Sequence, residues 1–535
     1  MILAVFSFLF FTTLVLVISW FKTRKDNVGD SDGYFLAGRS LTWPVIAGSL
    51  MLTNISTEQL VGMNGSAYAG GASVAAWELV PVVAMTFMAL FFLPRFLKSG
   101  ITTVPEYLEK RYSPLVRTIV SVIFLIAFSL AFLPFVIYSG ALAMNGLFRI
   151  PETFGIGTQT AEWMMVIALS VIGGVYAIFG GLKAIAISDT INGVGLLIGG
   201  FLIPVLGLIK LGDGNMLKAL AVITTQNPER LNPIGGPTDA VPFSTLFTGM
   251  FFVNVYYWCT NQAIVQRTFG AKNLAEGQKG VLFAALLKLL GLGILVFPGI
   301  IAYHLFGDSL TNKDMAYPML VSAVLPIWLT GFFGAVMFGA ILSSFNSALH
   351  STSTLFSVDI YKRVINPKAV DQAVVKSGKY LGALLVIVCI FTSPMIAHAP
   401  EGLFNLMKKL GTFVSIPIMS VVSVGMIMRR APPLSAYVAL PLGILFYAYF
   451  AFYKDGVLWE GCHLHWLHIA GLNLVVLTFV MGLIRLIKPL PEARDIRALP
   501  KPDYDMTPWS KAFVAGVGLC LIMVFIYVYL GRFGR

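Results

Sequence analysis

Long apolar runs, separated by short polar segments, follow one another along almost the whole chain. Fourteen of them are long enough to cross a bilayer as a helix, since a hydrocarbon core of about 30 Å requires about 20 helical residues. They cover approximately residues 1–21, 42–68, 74–97, 116–148, 162–180, 184–209, 243–266, 280–305, 319–357, 378–398, 402–428, 433–453, 464–487 and 510–531. The pattern predicts an all-α polytopic membrane protein with about 14 transmembrane helices in a single domain, residues 1–535.

The composition excludes several other classes of protein. Of the 535 residues, 57% are hydrophobic and only 12% are charged, which is about half the charged share of a soluble chain. A water-soluble enzyme, a nucleic-acid-binding protein and a disordered protein are therefore excluded. The chain also lacks a Walker loop and the H-E-x-x-H and G-x-S-x-G motifs of hydrolases. We expect no enzymatic activity and no cofactor, and an ion gradient as the source of energy.

The net charge of +12 is explained by the loops between the runs. Lys and Arg are retained on the cytoplasmic side of a membrane. Placing the N-terminus outside puts most of the 37 Lys and Arg residues in cytoplasmic loops. The charge asymmetry predicts an inner (plasma) membrane protein with both termini periplasmic or extracellular, and it requires no nucleic-acid partner.

Two predicted spans contain dense groups of polar residues. In the second span, Ile55 is the only apolar residue between Thr53 and Gln59, and the seventh combines aromatic and amide side chains between Asn254 and Gln262. A helix that unwinds at such a point exposes carbonyl groups that bind cations. Aromatic faces and amides suit a hydroxyl-rich ring. The alternative interpretation is that these groups bond neighbouring helices without any ligand.

Further polar groups lie in other predicted spans. Ser343 and Ser344 are adjacent hydroxyls in the ninth span, and sodium is a hard cation that prefers oxygen donors. Glu78, Lys288 and Lys408 are charges in the middle of spans, where charged groups are expensive and often functional. Their alternative interpretation is mutual pairing, of Glu78 with one of the two lysines.

Seven ordered motifs resemble the solute:sodium symporter family, most closely its bacterial sodium/sugar cotransporters of the glucose/galactose type. The motifs are Gly33–Arg39, Asn54–Gln59, Thr103–Arg111, Gly180–Ala184 with Ser188–Asp189, Tyr256–Trp258 with Gln266–Thr268, Ser343–Ser344 and Asp359–Lys362. The resemblance implies a LeuT-like core of two inverted five-helix repeats, each opening with a broken helix. The repeats would cover residues 42–209 and 243–428, with extra helices at 1–21 and 433–531.

The resemblance also implies roles for individual residues. Sodium would be bound by the carbonyls of Leu52, Ile55 and Ala340 and the hydroxyls of Ser343 and Ser344, with Asp189 on the ion's exit route. The sugar would contact Gln59, Glu78, Asn254 and Lys288, with Asn54 holding the broken helix. Lys408 does not match the family, but we expect it in the same substrate site. Tyr257 would be the inner gate, stacking on the sugar ring, and Met63, Trp77 and Phe404 would form the outer lid. Sodium, a sugar and the bilayer would be the only partners of a functional monomer.

Lys408 departs from the family pattern, because the sugar transporters resembled have a glutamine there. A neutral hexose is the preferred substrate, and it fits a pocket in which Glu78 pairs with Lys408 while Lys288 only bonds a hydroxyl. If Glu78, Lys288 and Lys408 are all charged, the pocket is net positive and favours the alternative, an acidic sugar such as a uronate, a sialic-acid-like sugar or a sulfonated sugar. Proton coupling through Asp189 and a transporter-like sensor are further alternatives. We expect His463, His465 and His468 to be polar caps at the membrane interface, with metal binding as the alternative.

Overall fold

A computed structural model describes residues 2–24, 29–310, 312–398, 403–494 and 504–534, and these residues are mostly helical. The first twelve helices are α1 (Ile2–Thr23), α2 (Ser31–Leu36), α3 (Trp43–Asn54), α4 (Thr57–Gly70), α5 (Ala76–Leu79), α6 (Pro81–Phe87), α7 (Leu93–Ser99), α8 (Val104–Arg111), α9 (Pro114–Ala127), α10 (Leu133–Phe148), α11 (Ile150–Phe154) and α12 (Thr158–Leu211). The other twelve are α13 (Met216–Thr225), α14 (Gly249–Cys259), α15 (Gln262–Phe269), α16 (Leu274–Leu295), α17 (Phe297–Phe306), α18 (Ala316–Val324), α19 (Ile327–Thr354), α20 (Asp371–Thr392), α21 (Leu403–Ile427), α22 (Pro433–Tyr447), α23 (Trp466–Ile487) and α24 (Ala512–Gly531). A short antiparallel pair, β1 (Val457–Trp459) and β2 (Cys462–His463), precedes α23.

Eleven helical segments within the described residues are long and apolar enough to cross a membrane. This confirms the predicted all-α membrane fold. The longest of them, α12, has 54 residues and would be about 80 Å long if it were straight, far more than a bilayer requires. It bends at Gly181, where φ is 64° and ψ is 175°, a conformation that only glycine adopts readily. The bend separates two of the predicted spans, 162–180 and 184–209.

The helices differ in how much of their surface is buried. The helical segment Thr57–Ser99 and α19 are mostly buried inside the bundle, whereas α1 and α24 leave most of their apolar side chains exposed. Apolar surface that faces outward is typical of helices in contact with lipid. At the centre, α3 packs against α12, α16 and α19. The polar residues of α3 are therefore enclosed by protein.

Both helix breaks occur where the polar residues predicted them. The first lies between α3 and α4, because Ile55 (ψ 90°) and Ser56 (ψ −179°) have extended backbones. The second lies between α14 and α15, where Asn261 is extended (ψ 119°) and its side chain caps α15 by accepting a bond from the Ala263 N–H. The breaks bring irregular backbone into the middle of the bundle, which is tolerated only where protein or a cavity surrounds it.

Candidate functional site

A cavity of about 520 Å³ lies beside the two helix breaks, within the range of roughly 300–1,000 Å³ that is typical of small-molecule sites. Six residues with predicted roles in substrate binding or gating line it: Asn54, Gln59, Trp77, Asn254, Tyr257 and Lys408. The structure thus brings together side chains from both broken helices with others from α5 and α21. Of the predicted substrate-binding residues, Glu78 and Lys288 are not in the lining.

The wall of this cavity has two chemically different parts. The broken helices contribute the amides of Asn54, Gln59, Asn254 and Asn261 and the ring of Tyr257. The helical segment 114–148 contributes only apolar side chains, including Phe128 and Phe132. Lys408 is the one charged residue in the lining, as far as the described residues go.

Glu78 and Lys288 form a fully buried ion pair behind the cavity wall. The Lys288 ammonium also donates a hydrogen bond to Asn54 Oδ1 at 2.6 Å, and Asn54 Nδ2 donates to the Tyr257 hydroxyl at 3.3 Å. The chain of contacts joins α5, α16, α3 and α14. The pairing of Glu78 with one of the lysines, which the sequence left as an alternative, is therefore present, and the partner is Lys288.

Lys408 has a different environment from Lys288. Its ammonium lies 5.1 Å from the ring centres of Trp77 and Phe404 and 5.3 Å from that of Tyr257. Cation–π attraction holds a charge in such a position. Among the residues that the structure describes, none forms a hydrogen bond or an ion pair with the Lys408 ammonium. The lysine is thus surrounded by the aromatic residues that were predicted to form the gates.

Two of the three predicted lid residues, Trp77 and Phe404, pack against each other. The rings of Trp77 and Phe404 meet edge to face at 5.8 Å, and Trp77 stacks on Trp466 at 6.2 Å. Phe404 is in close contact with α4, because a Cβ atom on Gly62 would lie 2.5 Å from the Phe404 Cβ. Only glycine permits this approach. Met63, the neighbour of Gly62, is fully buried.

The predicted sodium ligands lie where α3 ends against α19. Ser344 Oγ donates to the Thr53 carbonyl at 3.1 Å, and the hydroxyls of Thr53 and Ser347 are 3.1 Å apart. Ser343 is buried beside the Asp189 carboxylate, and its Oγ forms no close hydrogen bond with any described residue. The other three predicted ligands, Leu52, Ile55 and Ala340, are fully buried at the end of α3 and in α19. A buried hydroxyl without a close hydrogen bond next to a helix break is suited to a hard cation.

Asp189 belongs to a buried cluster that the sequence revealed only in part. Ser49 Oγ donates to Asp189 Oδ2 at 2.7 Å, and Arg267 Nε donates to Ser49 Oγ at 2.8 Å. The guanidinium of Arg267 lies 3.8 Å from Asp189 and also bonds to Ser347. Arg267 was not predicted as a site residue, since the seventh predicted span ended at 266. The structure extends α15 to Phe269 and buries Arg267 completely.

The histidines near α23 have structural contacts. His468 bonds through its two ring nitrogens to the hydroxyls of Thr248 (2.9 Å) and Ser244 (3.0 Å), and His465 accepts a bond from the Leu467 N–H at the start of α23. No group of three or more His, Cys, Asp or Glu residues that could hold a metal occurs in the described part of the chain. These contacts agree with the predicted capping role.

A sequence model of the family described as "Sodium:solute symporter family" matches residues 34–443. The chain belongs to the sodium:solute symporter family. It is 47% identical over 537 residues to the uncharacterised symporter YidK of Escherichia coli, covering 99% of this chain and 92% of that protein. It is 32% identical to the sodium/glucose cotransporter of Vibrio parahaemolyticus over 81% of each chain. The human sodium/myo-inositol cotransporter is 28% identical over 93% of this chain and 74% of its own.

Two solved structures share the fold. A Na⁺-coupled sialic acid symporter in a substrate-bound outward-open state has a TM-score of 0.74 at 20% identity, covering 90% of this chain and 98% of its own. Mhp1, a nucleobase-cation-symport-1 family transporter, has a TM-score of 0.54 at 15% identity, covering 91% and 99%. The protein is thus a multi-pass membrane transporter with a LeuT-like fold. As a sodium:solute symporter it is not an enzyme, and it needs no cofactor besides the co-transported sodium ion.

Proposed function

We propose that this symporter imports a sugar together with sodium by alternating access. The observation that carries the proposal is the cavity at the two helix breaks, where amides and aromatic rings face one space. Amides bond hydroxyl groups, and an aromatic ring stacks on the apolar face of a sugar. Gln59, Asn254 and Asn54 provide the amides, and Tyr257 is the inner gate. The glucose and myo-inositol cotransporters among the relatives support a polyhydroxylated solute.

The sodium ion binds between α3 and α19 in this proposal. Its ligands are the carbonyls of Leu52, Ile55 and Ala340 and the hydroxyls of Ser343 and Ser344, and Asp189 lies on its route to the cytoplasm. The buried Ser343 hydroxyl, which forms no close hydrogen bond and lies near the Asp189 carboxylate, supports this assignment. Binding at the break stabilises one arrangement of α3 relative to α4, so that the sugar meets a cavity already organised by the ion.

We propose fourteen membrane-spanning helices, with both termini outside the inner membrane. The eleven long segments include two that each cover two predicted spans or parts of them, Thr57–Ser99 and Thr158–Leu211, which supports a larger number of crossings. Residues 42–209 and 243–428 are the two inverted repeats, and the monomer is the functional unit. The Lys and Arg residues of the loops support this orientation.

Sodium-driven uptake tests the proposal directly. Vesicles that contain the protein are given an inward sodium gradient without a pH gradient, and the uptake of labelled neutral and acidic sugars is measured. Uptake that requires sodium is the expected result. Uptake that follows a pH gradient and ignores sodium would show proton coupling instead, with Asp189 as the first residue to examine.

The charge of the sugar is a separate question. From the sequence, a neutral hexose is preferred and an acidic sugar is the alternative. In the structure Glu78 pairs with Lys288 and not with Lys408, which supports the alternative.

A further inference from the structure

We infer that the transported sugar carries an anionic group, a carboxylate or a sulfonate, and that Lys408 binds this group in the cavity. The inference rests on the proposed function, sodium-coupled sugar import, and specifies its substrate class. It is carried by the positions of two lysines, Lys288 and Lys408, relative to the cavity wall.

Lys408 is the one charged side chain among the described residues that line the cavity. Glu78 and Lys288 compensate each other behind the wall, and neither belongs to the lining. Glu58 is also buried, on the first turn of α4, near enough to Lys408 for their charges to attract each other. It too lies outside the lining, and it forms no direct ion pair with Lys408 in the described structure. A solute in the cavity therefore meets one ammonium group and, among the described lining residues, no carboxylate.

The aromatic cage around Lys408 is a weaker partner than an anion. Its three rings attract the ammonium, but at 5.1–5.3 Å they leave its three N–H donors without acceptors. A charge-assisted hydrogen bond to a carboxylate or sulfonate oxygen is stronger than these contacts. An anionic sugar thus gains a bond at Lys408 that a neutral sugar of the same ring cannot make with equal strength.

The position of Lys408 also connects anion binding to the outer lid. Phe404 is one helical turn before Lys408 on α21, so both side chains lie on the same face. Phe404 in turn contacts Trp77. When the anionic group of the solute binds the Lys408 ammonium, the ammonium no longer contacts the rings of Trp77 and Phe404. These rings then pack on the sugar instead.

Ring-matched pairs of sugars test the inference. The purified protein in proteoliposomes receives an inward sodium gradient, and glucose is compared with glucuronate, galactose with galacturonate, and glucose with glucose that carries a sulfonate at C6. In at least one pair, the anionic sugar should bind about tenfold more tightly than the neutral sugar, as expected for a charged hydrogen bond. Its uptake should reach half of the maximal rate at a correspondingly lower concentration. At equal sodium stoichiometry, anionic transport also moves one positive charge fewer, so an inside-negative potential stimulates it less.

Three variants test whether Lys408 is the residue that binds the anionic group of the sugar. Lys408→Gln should abolish the preference for the anionic member, and Lys408→Arg should retain most of it. Lys409→Gln is the matched control, because the neighbouring lysine pairs with Asp455 at 3.5 Å and lies over Phe452, away from the cavity lining. It should leave the preference unchanged. If Lys408→Gln does not fold, the ratio of anionic to neutral sugar uptake, measured for the wild type and for Lys408→Arg, still tests the inference.

The contrary outcomes are distinct. Equal or better transport of every neutral member overturns the inference and leaves sodium/sugar symport intact. An anionic preference that survives in Lys408→Gln overturns the role of Lys408. Absence of sodium-driven uptake for all the sugars removes the proposed function, and the inference falls with it.

Discussion

Two buried ion pairs flank the broken α3–α4 helix, and they are built differently. On the solute side, Glu78 and Lys288 are in direct contact. On the ion side, Asp189 and Arg267 are 3.8 Å apart, and the Ser49 hydroxyl bridges them by bonding to both. All four charged side chains are almost completely buried.

The difference indicates that the two ion pairs have different roles in the protein. A buried pair in direct contact is strongly interdependent, because removing one partner leaves an uncompensated charge. We interpret Glu78–Lys288 as a fixed part of the wall that holds Asn54 at the first break. The Asp189–Arg267 pair is looser, and its hydroxyl bridge leaves Asp189 with a partner even when the charge of the pair is lost. A loose pair beside the proposed ion route is suited to rearrangement during transport.

Breaking the solute-side pair should have the largest effect. Glu78→Gln preserves the shape of the side chain but leaves the Lys288 ammonium buried without its counter-ion, at a free-energy cost of about 3–5 kcal/mol. This is a large part of the total stability of a typical fold. We expect a strong loss of monodisperse protein in detergent and a lower thermal unfolding midpoint.

The double variant Glu78→Gln with Lys288→Met is the control, since it removes both charges. It should recover much of the lost stability. If the double variant is no more stable than Glu78→Gln alone, the ion pair is not the reason for the loss.

The two pairs also show what sequence reasoning achieves. The helices were predictable because apolar runs of about 20 residues have few alternative structures, and the breaks were predictable because Ser56 and Asn261 lie among other polar residues. The sequence could not show which of the two lysines pairs with Glu78, because the pairing depends on how α5, α16 and α21 pack. The burial of Arg267 was missed because a charge at the end of a predicted span is read as a loop residue.

The isosteric change on the ion side should have a smaller effect on stability. Asp189→Asn retains an oxygen for the Ser49 hydroxyl, so we expect a loss of about 1–3 kcal/mol. Sodium-driven uptake should fall further than the loss of folded protein explains, because the residue lies on the proposed ion route. The measurement is the unfolding midpoint together with the sodium dependence of uptake. A loss of stability equal to that of Glu78→Gln would show that the two pairs are equivalent.

Removing the buried Ser343 hydroxyl should affect ion binding more than sugar binding. Ser343→Ala deletes one of the proposed sodium ligands, and we expect the half-saturating sodium concentration to rise about tenfold, with little change in stability. Ser420→Ala is the control, because that buried hydroxyl bonds to its own helix at the Ile416 carbonyl, 2.8 Å away. Gln59→Ala should impair sugar transport with less change in sodium activation. An unaltered sodium dependence in Ser343→Ala would contradict the assigned ion site.

The smallest effect should come from an ion pair outside the bundle. Asp213, in the turn before α13, and Lys218, in the first turn of α13, are both exposed and 2.7 Å apart. The hydrogen bond from Lys218 lowers the pKa of the Asp213 carboxyl below its usual value. Any stabilisation is present above the unfolded-state pKa and is lost as the pH falls through the lowered one. Solvent screens such pairs, and asparagine tolerates the positive φ of 53° at this position. Asp213→Asn should therefore leave the unfolding midpoint and uptake unchanged at neutral pH. A midpoint shift as large as that of Asp189→Asn would mean that burial is not what distinguishes the pairs inside the bundle.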